Sequence, residues 1–174
     1  GWKGLINPSY VLPVGDCLYG VEERPGQASV VRLSLDPPHG EVQRFSVPGS
    51  GLCHLSSQGG NLYAAGYAGG TLTGLKAETG EVCAFLQHQG HSANPARQEK
   101  AHVHSSLPSP DGKELLAADL GLDRLFRYRV GENGALALNP AEPWAEVPPG
   151  QGPRHFAFHP SGQWMFLVNE LEKP

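Results

Sequence analysis

The feature that most constrains this chain is a hairpin signature recurring about every fifty residues. Short apolar runs with strand character, Cys17-Leu18-Tyr19-Gly20-Val21, Leu62-Tyr63-Ala64-Ala65, Leu115-Leu116-Ala117-Ala118 and Trp164-Met165-Phe166-Leu167-Val168, each follow a glycine turn. The turns are Val14-Gly15-Asp16, Gly59-Gly60, Asp111-Gly112 and Ser161-Gly162, and another strand-like stretch precedes each one. Two strand signals around a glycine turn predict a β-hairpin. The first strands start at Ser9, Cys53, His104 and Arg154, which are 44, 51 and 50 residues apart. The second strands end at Glu22, Gly66, Asp119 and Asn169, with spacings of 44, 53 and 50.

Composition agrees with many short strands. The 174 residues include 23 glycines and 16 prolines, scattered singly between apolar runs. That is too many for long helices, and no segment carries a capped 3.6-residue period. The third unit continues with two further strand candidates, 124–130 and 135–138. Four strands in 40–50 residues is the mark of a propeller blade, so the expected fold is an all-β propeller with four-stranded antiparallel blades. A two-sheet sandwich is the competing architecture. The approximate blades are 1–44, 45–95, 96–146 and 147–174, about three and a half in all. A closed ring has 4–8 blades. Stopping after the second strand of the fourth unit leaves open edges. The chain is therefore expected to be a fragment of a longer product, whose missing blades complete the ring.

The formal charge of −4, with 17% charged and 39% hydrophobic residues, lacks the basic face that nucleic acid requires. No apolar run approaches the ~18 residues of a membrane span. No secretory leader is visible in Gly1-Trp2-Lys3-Gly4. Cys17, Cys53 and Cys83 form no CxxC pair, which suits free thiols in a reducing cytoplasm, the expected location.

In a blade's opening hairpin the start of the first strand lies beside the end of the second. This places His104 and Arg154 on one face of the disc with Asp119, Asn169 and Glu170, around the central channel. Each candidate admits more than one reading. His102 and His104, if both in a strand, point the same way and suit zinc, but no third ligand has matching spacing, so no metal is expected. They serve equally as hydrogen-bonded supports between blades, or His104 as a pocket residue. Arg154, after Gly150-Gln151-Gly152-Pro153, is an anion clamp or an interblade ion pair. Glu170 is a general base or the partner of Arg154. His155 packs against a turn or reaches the pocket. Asp123 and Arg124, following a turn, read as structural, and Trp144 is the conspicuous aromatic for a protein-binding rim.

Five motifs then occur in order: His102-Val103-His104-Ser105, Ser109-Pro110-Asp111-Gly112-Lys113, Asp119-Leu120-Gly121-Leu122-Asp123-Arg124, Gly150-Gln151-Gly152-Pro153-Arg154-His155-Phe156 and Val168-Asn169-Glu170-Leu171. Weaker echoes lie in Asn7-Pro8-Ser9-Tyr10, 18–23 and Cys53-His54-Leu55. Together they resemble the seven-bladed lactonase family, which includes cycloisomerase-type 6-phosphogluconolactonases and fungal carboxymuconate-lactonizing enzymes. Gly66 stands where that family usually has Asn. The resemblance implies a lactone hydrolase acting on a small anionic lactone without a cofactor. It implies a pocket with His104, Glu170 and Arg154 as catalytic residues and His102, Arg154, His155 and Asn169 as substrate contacts. It also implies a further arginine from a later blade. A cycloisomerase and a non-catalytic binding propeller are the alternatives.

Overall fold

Short segments that alternate apolar side chains between two faces form every strand. The computed structural model describes residues 4–24, 26–36 and 42–171. Its first antiparallel sheet runs in order through β1 (Pro8–Val14), β2 (Cys17–Arg24), β3 (Gln27–Ser34) and β4 (Gln43–Val47). The second holds β5 (Leu52–Gln58), β6 (Asn61–Gly66), β7 (Thr71–Lys76) and β8 (Val82–Gln87). The third holds β9 (Val103–Pro108), β10 (Glu114–Asp119), β11 (Arg124–Val130), β12 (Leu136–Leu138) and β13 (Trp144–Glu146), and the last pairs β14 (Pro153–Phe158) with β15 (Met165–Asn169). Among the described residues the only helical turn is a 3-10 turn at Glu132–Gly134.

The four hairpins turn where the glycines predict. Two details differ from expectation. β4 runs across the expected 44/45 division, so the first sheet closes at Val47. In the third sheet the outermost position is split: β12 pairs with one end of β11, and β13, not expected from sequence, pairs with the other.

The sheets stack face to face, with an apolar layer between each pair. Val21, Val30 and Phe45 of the first meet Leu55, Leu62 and Leu75 of the second. Tyr63 and Leu72 meet Val103, Leu115 and Phe126. Leu116 and Leu125 meet Phe156, with Met165 and Leu167 packed against them. Trp144 is half-buried on the outer strand β13, packed against the second of these layers. Its ring lies 5.7 Å from that of Phe126, and the Arg124 guanidinium sits 4.5 Å above it. Gly66 also has a local cause: a Cβ there would meet Thr71 Oγ1 at 2.3 Å and the Ser50 carbonyl at 3.1 Å, so no asparagine fits.

The first strands of successive sheets lie against one another, β1 to β5 to β9 to β14. Polar bonds join their starts. Ser9 Oγ donates to the Leu52 carbonyl (3.3 Å), the Cys53 thiol to the His104 carbonyl (3.3 Å) and Ser105 Oγ to the Arg154 carbonyl (2.6 Å). This wall of inner strands positions the site.

Candidate active site at the bulged ends of the inner strands

Each inner strand carries a β-bulge near its start. The register slips between Pro8 and Tyr10, between Leu52 and His54, opposite Ala118/Asp119 in β9, and between Pro153 and His155. The unpaired extra residues are Ser9, Cys53, His104 and Arg154, the four positions that the sequence aligned as strand starts. A bulge leaves one residue outside the ladder and re-aims its side chain. Here it frees His104 and Arg154 on adjacent strands to meet.

They meet at Glu170, which follows β15. Arg154 Nε lies 2.6 Å from Glu170 Oε2 and donates to His104 Nε2 at 3.2 Å, while His104 Nε2 is 3.7 Å from the same carboxylate oxygen. With Nε2 accepting, the imidazole carries its proton on Nδ1, a buried atom without a protein partner. The structure thus brings His104, Arg154 and Glu170 together, as the sequence placed them.

His155 joins the cluster: its ring is 5.0 Å from that of His104 and 5.5 Å from that of His54. Its ring thus packs between those of His104 and His54. Burial, with the charge of Arg154 second, holds His104 down to about 4. Burial, with the neighbouring His155 and His104 rings, holds His54 down to about 3. Burial, then Arg154, also lowers His155. These histidines are neutral at pH 7. Burial raises the Glu170 carboxyl, but its bond to Arg97 and the surrounding positive charge outweigh that and hold it below the usual glutamate range.

Other expected contacts are committed elsewhere. His102 precedes β9, so it shares no strand face with His104. It stacks on Tyr67 at 4.4 Å, its Nδ1 lies 2.9 Å from the Tyr67 carbonyl and its Nε2 3.3 Å from Glu99. Asn169 Nδ2 donates to Gln151 Oε1 at 2.6 Å, while its buried Oδ1 has no protein partner. Asp119 is fully buried beside His88 (2.7 Å), accepts from the His102 and Gly121 amides, and offers no carboxylate to the mouth. Among the described residues no three or more His, Cys, Asp or Glu side chains are disposed to hold a metal ion.

Asp123 is structural in a way that serves the site. Its carboxylate accepts from Ser92 Oγ (2.5 Å) and from the amides of Gly150 and Gly152 (2.7 Å each). Gly152 leads into Arg154, and its carbonyl accepts from the Glu170 amide at 2.8 Å. One buried carboxylate therefore fixes the turn from which both Arg154 and Glu170 are hung.

Sequence reasoning missed Arg97, Tyr67 and His54. Arg97, on the connection between β8 and β9, donates to Glu170 Oε1 and lies 3.4 Å from the Tyr67 hydroxyl. Nothing periodic marks that irregular segment. His54, however, stood next to an aligned strand start.

A stack of antiparallel sheets whose first strands lie side by side defines part of a β-propeller, with a polar cluster on its inner strands. The chain belongs to the lactonase family of seven-bladed β-propellers, whose family description, "Lactonase, 7-bladed beta-propeller", matches residues 2–174. A 6-phosphogluconolactonase of Bacillus subtilis is 30% identical over 177 residues, covering 96% of this chain and 50% of that protein. A crystal structure of a candidate 6-phosphogluconolactonase from Bacteroides fragilis superposes with a TM-score of 0.85 at 30% identity, over 94% of this chain and 51% of that one. The periplasmic gluconolactonase of Pseudomonas aeruginosa gives 0.77 at 27% identity, over 93% and 50%. The chain thus spans about half the length of these relatives.

Proposed function

We propose that the protein containing this chain hydrolyses a sugar-phosphate lactone, in the manner of a 6-phosphogluconolactonase, with its remaining blades completing the ring. The coupling of Arg154, His104 and Glu170 on adjacent inner strands carries the reading. It gathers a cation, a neutral imidazole and a carboxylate where no strand ladder needs them.

In this reading water attacks the lactone carbonyl while Glu170 accepts its proton, with His104 as the alternative base. Arg154 stabilises the oxyanion that forms. The ring C–O bond then breaks, the leaving alkoxide takes up a proton, and the product is an open-chain hydroxy acid. Sugar lactones are activated esters, so a weak base such as this low-pKa carboxylate suffices, and no cofactor is required. Cys17, Cys53 and Cys83 are free thiols. They favour a cytoplasmic protein, and no helix among the described residues is long and apolar enough to cross a membrane.

The test is proton release from 6-phosphogluconolactone by the full-length protein, with spontaneous hydrolysis subtracted. Glu170→Gln keeps the shape and removes the base, so kcat should fall roughly 10²–10⁴-fold with KM near its starting value. Arg154→Ala should impair both KM and kcat. Full activity in both variants, each normally folded, would remove this mouth as the active site. If Arg154→Ala alone is impaired, His104 is the base.

A further inference from the structure

Glu170 is held by two guanidiniums on opposite oxygens, and only Arg154 has a place in the chemistry above. Arg154 approaches Oε2 from the side of His104, whose side chain is nearly buried. Arg97 approaches Oε1 from the connection 88–102, beside the Tyr67 hydroxyl.

Arg97 is mounted firmly for a residue outside the strands. The Asn94 carbonyl accepts from the amides of Gln98 (2.7 Å) and Arg97 (3.2 Å), and Gln98 Oε1 accepts from the Asn94 amide (2.9 Å). Gln98 is fully buried, and its Nε2 donates to the Leu120 carbonyl at 2.8 Å. The backbone that carries Arg97 is thereby pinned to the end of β10. Its side chain is nevertheless 44% exposed, as is that of Arg154.

Two arginines against one carboxylate, with the three nearby histidines neutral, leave the mouth with one uncompensated positive charge. A guanidinium has five N–H donors. Among the described residues only Nη2 of Arg97 and Nε of Arg154 have protein acceptors, so most of both forks is free. Planar forks of this kind hold phosphate through paired hydrogen bonds.

We propose that Arg97 is the specificity arm of the site, gripping a phosphate monoester carried on the substrate away from the lactone ring, while Arg154 serves the reacting carbonyl. The assignment rests on the lactonase reading and divides the labour within it. Tyr67 contributes a hydroxyl that accepts from the same fork and can donate to a phosphate oxygen. Arg97 also bonds Glu170, so its loss alters turnover of any lactone to the same extent, and the arm shows as a further loss of affinity confined to the phosphorylated substrate.

The experiment measures the full-length protein and its Arg97→Ala and Arg97→Lys variants on 6-phosphogluconolactone and on unphosphorylated gluconolactone. Thermal unfolding confirms that each is folded. Arg97→Ala should raise KM for the phosphorylated substrate about 10- to 100-fold, the range of one lost charged hydrogen-bonding arm. Any change in kcat should be the same for the two lactones, because both depend on Glu170, while KM for gluconolactone should stay within about two-fold. Arg97→Lys should recover part of the affinity, because the charge returns without the fork. Equal losses on both substrates, or a fall confined to kcat, would mean that Arg97 merely steadies Glu170 and would overturn the proposal. No change on either would do the same. If the parent protein turns over neither lactone, the lactonase reading fails, and calorimetry with 6-phosphogluconate decides the arm separately. Weaker binding to Arg97→Ala than to the parent sustains it, and equal binding, or none to either, removes it.

Discussion

At the scale of single residues, the site is defined by what burial does to imidazoles. His54 is only 5% exposed, lies 4.4 Å from the Tyr10 ring, and accepts the Ser106 amide at Nδ1. Burial disfavours a charge here, as do the neighbouring His155 and His104 rings, so the ring stays neutral. The unfolded chain takes up this proton near the ordinary value of 6.5, whereas the folded chain takes it up only near 3. The stability from the neutral ring is therefore complete above about pH 6.5 and is lost as pH falls toward 3, at roughly 1.4 kcal/mol per pH unit for each such histidine. His54→Gln removes the titrating group and should flatten the acid limb of stability by about one proton, read from urea unfolding of the full-length protein between pH 7 and 5. An unchanged slope would mean that His54 is already charged in the fold. Cys53 is governed by the same physics in the opposite direction: burial pushes its thiol up to about 12, so it acts as a neutral donor to the His104 carbonyl and not as a nucleophile.

At the scale of elements, the hairpins were legible because glycine turns and apolar alternation are local signals. The turns near 15, 59, 111 and 161 and the four aligned strand starts all follow from them. What makes those starts functional was not legible. A bulge is one extra residue in a ladder, and pairing partners do not show in a single strand's pattern. Arg97 escaped for a related reason, since its segment is held by Asn94 and Gln98 and not by periodicity. His102 lies outside the strand because β9 begins one residue later, and the packing of Trp144 on Phe126 and Arg124 was hidden because those neighbours are distant in sequence. The element that couples fold to site is the turn at Gly150–Gly152, and it can be tested without disturbing the cluster. Asp123 has φ +53°, a conformation that asparagine tolerates, so Asp123→Asn isolates the lost charge from backbone strain. Its amide can accept at one atom only, while three donors converge on the carboxylate. The substitution should cost about 1–3 kcal/mol in urea unfolding and lower kcat with Arg154 and Glu170 untouched. Unchanged stability would show that the turn holds without it.

At the scale of the molecule, the stack of sheets explains both the order of the chain and a surface it leaves open. Within the stack every residue of β6 is buried, because apolar neighbours cover both of its faces. β15 differs. Met165 and Leu167 pack against the third sheet, whereas Phe166 and Val168 on the opposite face are 64% and 61% exposed, and Trp164 just before the strand is 67% exposed. Two large apolar side chains on one strand face with a third just before it, beside an unpaired edge, are what the next blade of a propeller covers and what an isolated piece exposes to other copies. A polypeptide of these 174 residues should therefore self-associate with rising concentration in light scattering, and Phe166→Lys should reduce that association. In the full-length protein the same substitution should have the opposite value. It would place a charge against the following blade, and the expected cost of about 2–4 kcal/mol in unfolding is that of a buried, unpaired charge. The two signs together separate a covered face from an ordinary sticky one. A monodisperse, cooperatively unfolding monomer of the 174-residue polypeptide, or a full-length Phe166→Lys of normal stability, would show that no blade follows on this face.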